Sequence, residues 1–95
     1  MNKLKQAQAG TLESNDIAIT VGPAADGGIV IELQSLVMEQ YGDQIWKVIR
    51  DTVIEQGVSG IYIKAVDRGA LDCTIRARTL AALARAGVMH KEAGL

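Results

Sequence analysis

The segment DIAITVGPAADGGIVIELQ, residues 16–34, contains two runs in which apolar side chains alternate with other residues. This alternation is typical of strands that bury one face. Residues 22–28, between the two runs, include three glycines and a proline, which favour a turn. We therefore expect a β-hairpin whose strands lie over residues 16–21 and 29–34.

The apolar period changes further along the chain and indicates a helix. From Ile45 onward, apolar side chains recur every three or four residues, which is the pattern of an amphipathic helix. Gly57 is well placed to end this helix in a left-handed cap. The helix begins either near Ser35, with a kink at Gly42, or at Asp43.

The remaining elements complete a small mixed fold. Residues 60–66 alternate as a third strand, and residues 70–86 have the composition of a second helix. The order strand-strand-helix-strand-helix predicts an α+β fold in two layers, with two helices packed on one face of a three-stranded sheet. We expect a flexible N-terminal arm over 1–13, a single domain over 14–87 and a frayed tail over 88–95.

Composition argues against several classes of function. Ten basic and eleven acidic side chains give a net charge of −1, without the basic excess of a nucleic-acid-binding protein. No apolar run approaches the roughly 20 residues that span a bilayer. Residues 1–6 lack the apolar region of a signal peptide, and one cysteine cannot form an internal disulfide. We therefore expect a cytoplasmic protein with neither nucleic acid nor membrane as a partner.

Residues suited to catalysis are scarce. The chain has one histidine and one cysteine, and none of the common metalloprotease, phosphate-loop or serine-hydrolase motifs. We therefore expect no catalytic residue and no metal site. This inventory favours a carrier or binding module over an enzyme that acts alone.

Ser14, just before the first strand, is the candidate for chemistry. One interpretation is that Ser14 is an ordinary turn serine in contact with solvent, without a chemical role. A serine nucleophile needs a neighbouring base, and only Glu13 and Asp16 are near in sequence. An exposed hydroxyl on a mobile arm is better suited to accept a covalently attached group inside another enzyme's active site.

Other reactive or aromatic side chains fit structural roles. We expect Cys73, on the second helix, to be a small buried hydrophobe rather than an acyl-carrying thiol. Trp46 and Tyr62 are expected in or beside the core, and His90 in solvent. Three arginines of the second helix leave two alternatives open, a solvated face or a docking surface for an acidic partner or for phosphates. They are Arg76, Arg78 and Arg85.

Two stretches that lie far apart resemble the citrate lyase acyl carrier protein family, the gamma subunits of that enzyme. The first is AGTLESND over residues 9–16, and the second is DRGALDCTIRAR over residues 67–78. The resemblance covers about residues 7–87. Shorter matches are Tyr41-Gly42-Asp43 and ALARA over 82–86.

The resemblance implies a covalent cofactor and a set of partners. Ser14 would be joined through a phosphodiester to 2′-(5″-phosphoribosyl)-3′-dephospho-CoA, whose thiol holds acetyl and citryl thioesters while citrate is cleaved to acetate and oxaloacetate. The partners would be the alpha (acyl transferase) and beta (citryl lyase) subunits, a prosthetic-group transferase and an acetate-activating ligase. This chain would be the non-catalytic carrier. Asn15 stands where the family is expected to carry glycine or serine.

Two other functions stay open at this point. One is the acyl carrier subunit of malonate decarboxylase, a related carrier with the same type of prosthetic group. The other is a non-covalent α+β scaffolding or regulatory domain, in which Ser14 would be inert.

Overall fold

In the computed structural model, which describes residues 4–88, a four-stranded sheet is covered on one face by two helices. The α+β prediction with two helices is confirmed, and the sheet has one strand more than predicted. Neither helix is long and apolar enough to cross a membrane. The elements, in chain order, are β1 (Ala7–Ala9), β2 (Ile17–Pro23), β3 (Ile29–Ser35), α1 (Met38–Glu55), β4 (Ile61–Asp67) and α2 (Asp72–Arg85).

The additional strand, β1, falls inside the segment that was expected to be a flexible arm. It pairs antiparallel with β2, where Ala9 lies opposite Ile19, and Ala9 is only 2% exposed. The sequence of β1, Ala-Gln-Ala, has no β-propensity, so this strand can be recognised only from its pairing with β2 in the structure. Residues 1–3 of the arm and 89–95 of the tail, including His90, lie outside the described residues.

The predicted hairpin is wrong, because β4 lies between its two strands. The sheet order is β1-β2-β4-β3, with β4 antiparallel to β2 and parallel to β3. The glycine-rich loop crosses the start of β4 instead of turning back, and its Gly27 and Gly28 carbonyls accept the amides of Gly60 and Ile61, each at 2.9 Å. Alternating apolar residues indicate that a segment is a strand, but they do not indicate with which other strand it pairs. This explains the error.

The inner face of the sheet and both helices share one core. The central strand β4 is the most deeply buried, because Ile61, Ile63 and Ala65 have no solvent exposure. Helix α1 runs through Gly42 without a break, so the earlier of the two predicted starts is closer to the observed one. The buried side chains of the helices continue this core. They are Ile45, Ile49, Thr52 and Val53 of α1, and Ile75, Thr79, Ala82 and Leu83 of α2.

Candidate modification site

The two motifs that lie far apart in the sequence meet at one end of the sheet. Because β2 and β4 are antiparallel, Ile17 at the start of β2 lies opposite Asp67 at the end of β4. The loop before β2 therefore lies beside the loop after β4. Two backbone hydrogen bonds join these loops, from the Asn15 amide to the Arg68 carbonyl at 2.8 Å and from the Arg68 amide to the Asp16 carbonyl at 2.9 Å.

Ser14 lies at the tip of a tight turn over residues 13–16. The Asp16 amide donates to the Glu13 carbonyl at 3.1 Å, and Asn15 has a φ of 66°. A positive φ at the third position of a turn is the requirement of a type II turn, and asparagine tolerates it better than most residues that carry a Cβ. Asn15 can therefore take the place of a glycine. Ser14 is exposed, and its hydroxyl makes no hydrogen bond within residues 4–88.

Asp16 anchors this turn and is only 8% exposed. Arg78 grips its carboxylate with two hydrogen bonds, from Nε at 3.0 Å and from Nη2 at 2.9 Å. The Thr11 hydroxyl donates at 2.7 Å and the Ile17 amide also at 2.7 Å. The Arg78 hydrogen bonds, followed by that of Thr11, hold the pKa of Asp16 well below its ordinary value, and burial opposes this shift. Asp16 is thus a structural anion with its acceptors occupied and is unsuited to act as a general base.

Gly10 permits a close approach of the chain to this anchor. It has a φ of +87°, and a Cβ built on it would lie 1.8 Å from the Ile17 carbonyl oxygen and 3.3 Å from Arg78 Cδ. No side chain fits there unless the backbone moves. The sequence motif around Ser14 therefore contains a glycine for a steric reason.

Asp67 organises the second of these loops, the one that follows β4. It is 1% exposed and accepts hydrogen bonds from the amides of Gly69 and Ala70, at 3.1 and 3.0 Å. The Ser35 hydroxyl also donates to Asp67 at 2.8 Å. Of the three serines, Ser35 is therefore committed to structure, whereas Ser59 is exposed in the loop before β4.

The three arginines of α2 bind other parts of this chain. Arg78 holds Asp16, Arg76 donates to Glu55 of α1, and Arg85 donates to the Gln8 carbonyl of β1 at 2.8 Å. The sequence had left a solvated face and a docking surface open for them. In the structure they tie α2 to the rest of the domain.

The predicted burial of Cys73 is wrong, and Trp46, which was expected in or beside the core, is not in the core. Cys73 is exposed, because it precedes the buried Ile75 by two residues and so lies about 200° around the helix from it. Trp46 is 42% exposed, and the guanidinium carbon of Arg50 lies 5.7 Å from its ring centroid. Tyr62 is half-buried.

We expect Cys73→Ala to leave intact the loading of Ser14 that the family resemblance implies. The thiol is exposed on a helix and lies in none of the hydrogen bonds that shape the Ser14 turn. A surface substitution of this kind changes the free energy of unfolding by no more than about 0.5 kcal/mol. Mass spectrometry after incubation with the transferring enzyme and the activated precursor measures loading. A folded Cys73→Ala protein that gains no mass would assign the thiol a role in attachment.

Asp16→Asn should reduce stability in a pH-dependent manner. At pH 7 we expect the free energy of unfolding to fall by about 2 kcal/mol, since the amide cannot accept both Arg78 bonds and the Thr11 bond. The pKa of Asp16 is lowered by folding, so its stabilisation is present above the ordinary carboxylate pKa of about 4 and is lost as the pH falls below it. The difference in unfolding free energy between wild type and variant should therefore be constant from about pH 7 to pH 5 and should narrow steadily as the pH falls from about 4 to about 2.

Asp43→Asn is the matched control, because Asp43 is exposed on α1. At pH 7 we expect its free energy of unfolding to stay within about 0.5 kcal/mol of wild type. A constant gap between Asp16→Asn and wild type down to about pH 2 would contradict the assigned role of the ion pair.

A cleft of about 420 Å³ opens beside the second loop, between the first turns of α1 and α2. Tyr41 and Leu71 stand on its two sides and are 58% and 70% exposed. The Gln44 amide donates to the Asp72 carboxylate at 2.8 Å and links the two helices at the cleft. Gly69 contributes to the lining, so the cleft reaches the loop against which the Ser14 turn is hydrogen-bonded.

Comparison with known proteins finds the same kind of protein that the two motifs resemble. Residues 4–86 match the family described as "ACP: Malonate decarboxylase delta subunit (MdcD)". The citrate lyase acyl carrier protein of Streptococcus uberis is 55% identical over 95 residues, which is 100% of this chain and 87% of that protein. The protein of the same name from Halothermothrix orenii is 54% identical over 82 residues, which is 86% of each chain.

A solved structure has the same fold. A chain in the crystal structure of a Pseudomonas malonate decarboxylase hetero-tetramer in complex with malonate superposes with a TM-score of 0.76 over 90% of each chain, at 19% identity. At that identity the likeness is evidence of fold only, and the sequence relatives carry the assignment. The chain belongs to the family of citrate lyase acyl carrier proteins and their malonate decarboxylase counterparts.

Proposed function

We propose that this chain is the acyl carrier subunit of a citrate lyase and that Ser14 carries its prosthetic group. The observation that carries the proposal is the state of Ser14, an exposed hydroxyl without a hydrogen-bond partner at the tip of a turn. Asn15, the next residue, is hydrogen-bonded to the loop that follows β4. Asp16, the residue after it, is hydrogen-bonded to Arg78. The attachment point is therefore accessible while its base is fixed.

The proposed group is 2′-(5″-phosphoribosyl)-3′-dephospho-CoA, attached by a phosphodiester to the Ser14 oxygen. When bound, it supplies a thiol that holds acetyl and citryl groups as thioesters. Ser14 fits this group, because a phosphodiester requires an accessible hydroxyl and no acceptor pocket on the carrier itself. Substitution of the hydroxyl should also be tolerated by the fold, since no structural bond depends on it.

The chain contributes position rather than bond-breaking chemistry. The carboxylate of Asp16, two residues after Ser14, is occupied by Arg78 and Thr11 and kept ionised. The catalytic groups would then lie on an alpha acyl transferase and a beta citryl lyase, after loading by a prosthetic-group transferase and an acetate-activating ligase. A short flexible tether raises the effective concentration of the carried group to the millimolar range. We propose a cytoplasmic location for this assembly.

Reconstitution distinguishes the citrate lyase function from its nearest rival. Loaded, acetylated protein mixed with citrate lyase alpha and beta subunits should form oxaloacetate from citrate, and unloaded protein should form none. The rival, a malonate decarboxylase carrier, has the support of the family description and the shared fold. It would be favoured if the loaded protein supported malonate decarboxylation with the partners of that enzyme but left citrate uncleaved.

A further inference from the structure

We propose that the cleft between α1 and α2 binds the pantetheine-like end of the group attached at Ser14 while that group is outside a partner's active site. This inference rests on the proposed function. It assigns to the carrier a resting site for its own arm, with a mainly apolar lining and one polar pair.

Position is the first argument for this occupant. The cleft lining includes Gly69, and a Cβ built on Gly69 would lie 3.5 Å from the Oδ1 atom of Asn15. Asn15 directly follows Ser14, so one end of the cleft comes within a residue of the attachment point. The phosphoribosyl and adenosine diphosphate parts of the group lie between the Ser14 oxygen and the pantetheine end, so that end reaches the cleft by folding back toward its attachment point. The other concavity beside the Ser14 turn, lined by Arg68, is smaller, at about 250 Å³.

The chemistry of the lining is the second argument. Tyr41 and Leu71 are large apolar side chains that remain 58% and 70% exposed, one on each side of the opening. A pantetheine chain consists of methylene and dimethyl groups interrupted by two amides. The apolar groups match Tyr41 and Leu71, and the amides match the Gln44–Asp72 pair, which offers both hydrogen-bond donors and acceptors. The volume of about 420 Å³ lies within the range of small-molecule sites, about 300–1,000 Å³.

Tethering makes a weak site sufficient. With an effective concentration in the millimolar range, a millimolar intrinsic affinity would keep the arm in the cleft about half of the time. Such occupancy shields a thioester from water between transfers. It also leaves the arm free to enter a partner subunit, because the two states are nearly equal in free energy.

The test compares unloaded and loaded forms of the isolated chain by amide NMR, after mass spectrometry has established that the group is on Ser14. We expect loading to shift the amides of Tyr41, Gly69, Ala70 and Leu71. Leu71→Glu should reduce the shifts at the other three positions to about one fifth of their wild-type size, because a tenfold loss of affinity lowers the bound fraction from about one half to about one tenth. Leu36→Glu is the matched control, because Leu36 is also 70% exposed but lies outside this cleft, and it should keep the shifts.

Thiol reactivity provides a second readout that involves no catalysis. Leu71→Glu should weaken binding of the arm about tenfold, by loss of one apolar contact. The reaction of the prosthetic thiol with an uncharged disulfide reagent should then become about twice as fast as in wild type. The reason is that the fraction of arms outside the cleft rises from about one half to about nine tenths. Leu36→Glu, with the same added charge, should react at the wild-type rate.

The outcomes separate this inference from the proposed function. A chain that acquires no group on Ser14 would refute the proposed function. A loaded chain with unchanged cleft amides, or with shifts on another surface, would overturn the resting site and leave the carrier function standing. Cleft amides that shift only when an alpha or beta subunit is added would also overturn it, and would identify the cleft as a docking surface for that subunit.

Discussion

Replacing Gly10 with alanine is expected to lower the free energy of unfolding by about 2–5 kcal/mol. A left-handed φ costs a residue with a Cβ about 1–2 kcal/mol, and forced overpacking adds about 1–3 kcal/mol. Both apply here, because φ is +87° and the new Cβ would lie 1.8 Å from the Ile17 carbonyl oxygen. That oxygen belongs to the backbone of β2, so relief requires β1 and β2 to separate. Urea denaturation measures the loss.

Gly22→Ala is the matched control for this prediction. Gly22 lies in β2 with an ordinary φ, and a Cβ built there meets nothing within 4 Å. We expect its free energy of unfolding to stay within about 0.5 kcal/mol of wild type. Equal stabilities for the two alanine variants would show that Gly10 is not sterically required.

Ser14→Ala is expected to abolish attachment of the prosthetic group completely while the fold is retained. A methyl group cannot form a phosphodiester, and the Ser14 hydroxyl supports no hydrogen bond within the described part of the chain. The free energy of unfolding should therefore change by no more than about 0.5 kcal/mol. Intact mass after incubation with the transferase and precursor, together with a melting curve, measures both effects.

The two other serines provide contrasting controls. Ser59→Ala should load fully and retain wild-type stability, because Ser59 is exposed in a loop. Ser35→Ala should load fully but lose about 1 kcal/mol, because its hydroxyl donates to the buried Asp67. Full mass gain by Ser14→Ala would move the attachment point elsewhere, and failure of that variant to fold would make Ser14 a structural turn residue.

The secondary structure was predictable where a local period exists. Ile17, Ile19 and Val21 alternate over β2, and the buried positions of α1 recur every three or four residues, so both elements could be read from the sequence. The position of β4 between β2 and β3 could not, because strand pairing depends on the whole core rather than on the turn residues between two strands. β1 was missed because a strand of only three residues is too short to show an alternation of apolar and polar side chains.

The site divides in the same way. The exposure of Ser14 follows from its polar surroundings just before a strand. The grip of Arg78 on Asp16 joins residues 62 positions apart, and no local pattern pairs them. The requirement for glycine at position 10 likewise comes from the close approach of Ile17, which exists only in the folded sheet. The exposure of Cys73 could not be read from the sequence either, because its apolar neighbour Leu71 is also exposed.

The mass of the proteolytic peptide that contains Ser14, from protein purified from its native host, tests the central claim most directly. We predict that this peptide carries the full added mass of a phosphoribosyl-dephospho-CoA group, with fragmentation that locates the group on the Ser14 oxygen, and that the peptides containing Ser35 and Ser59 are unmodified. An unmodified Ser14 in protein taken from active complex, or the added mass on another residue, would contradict the account.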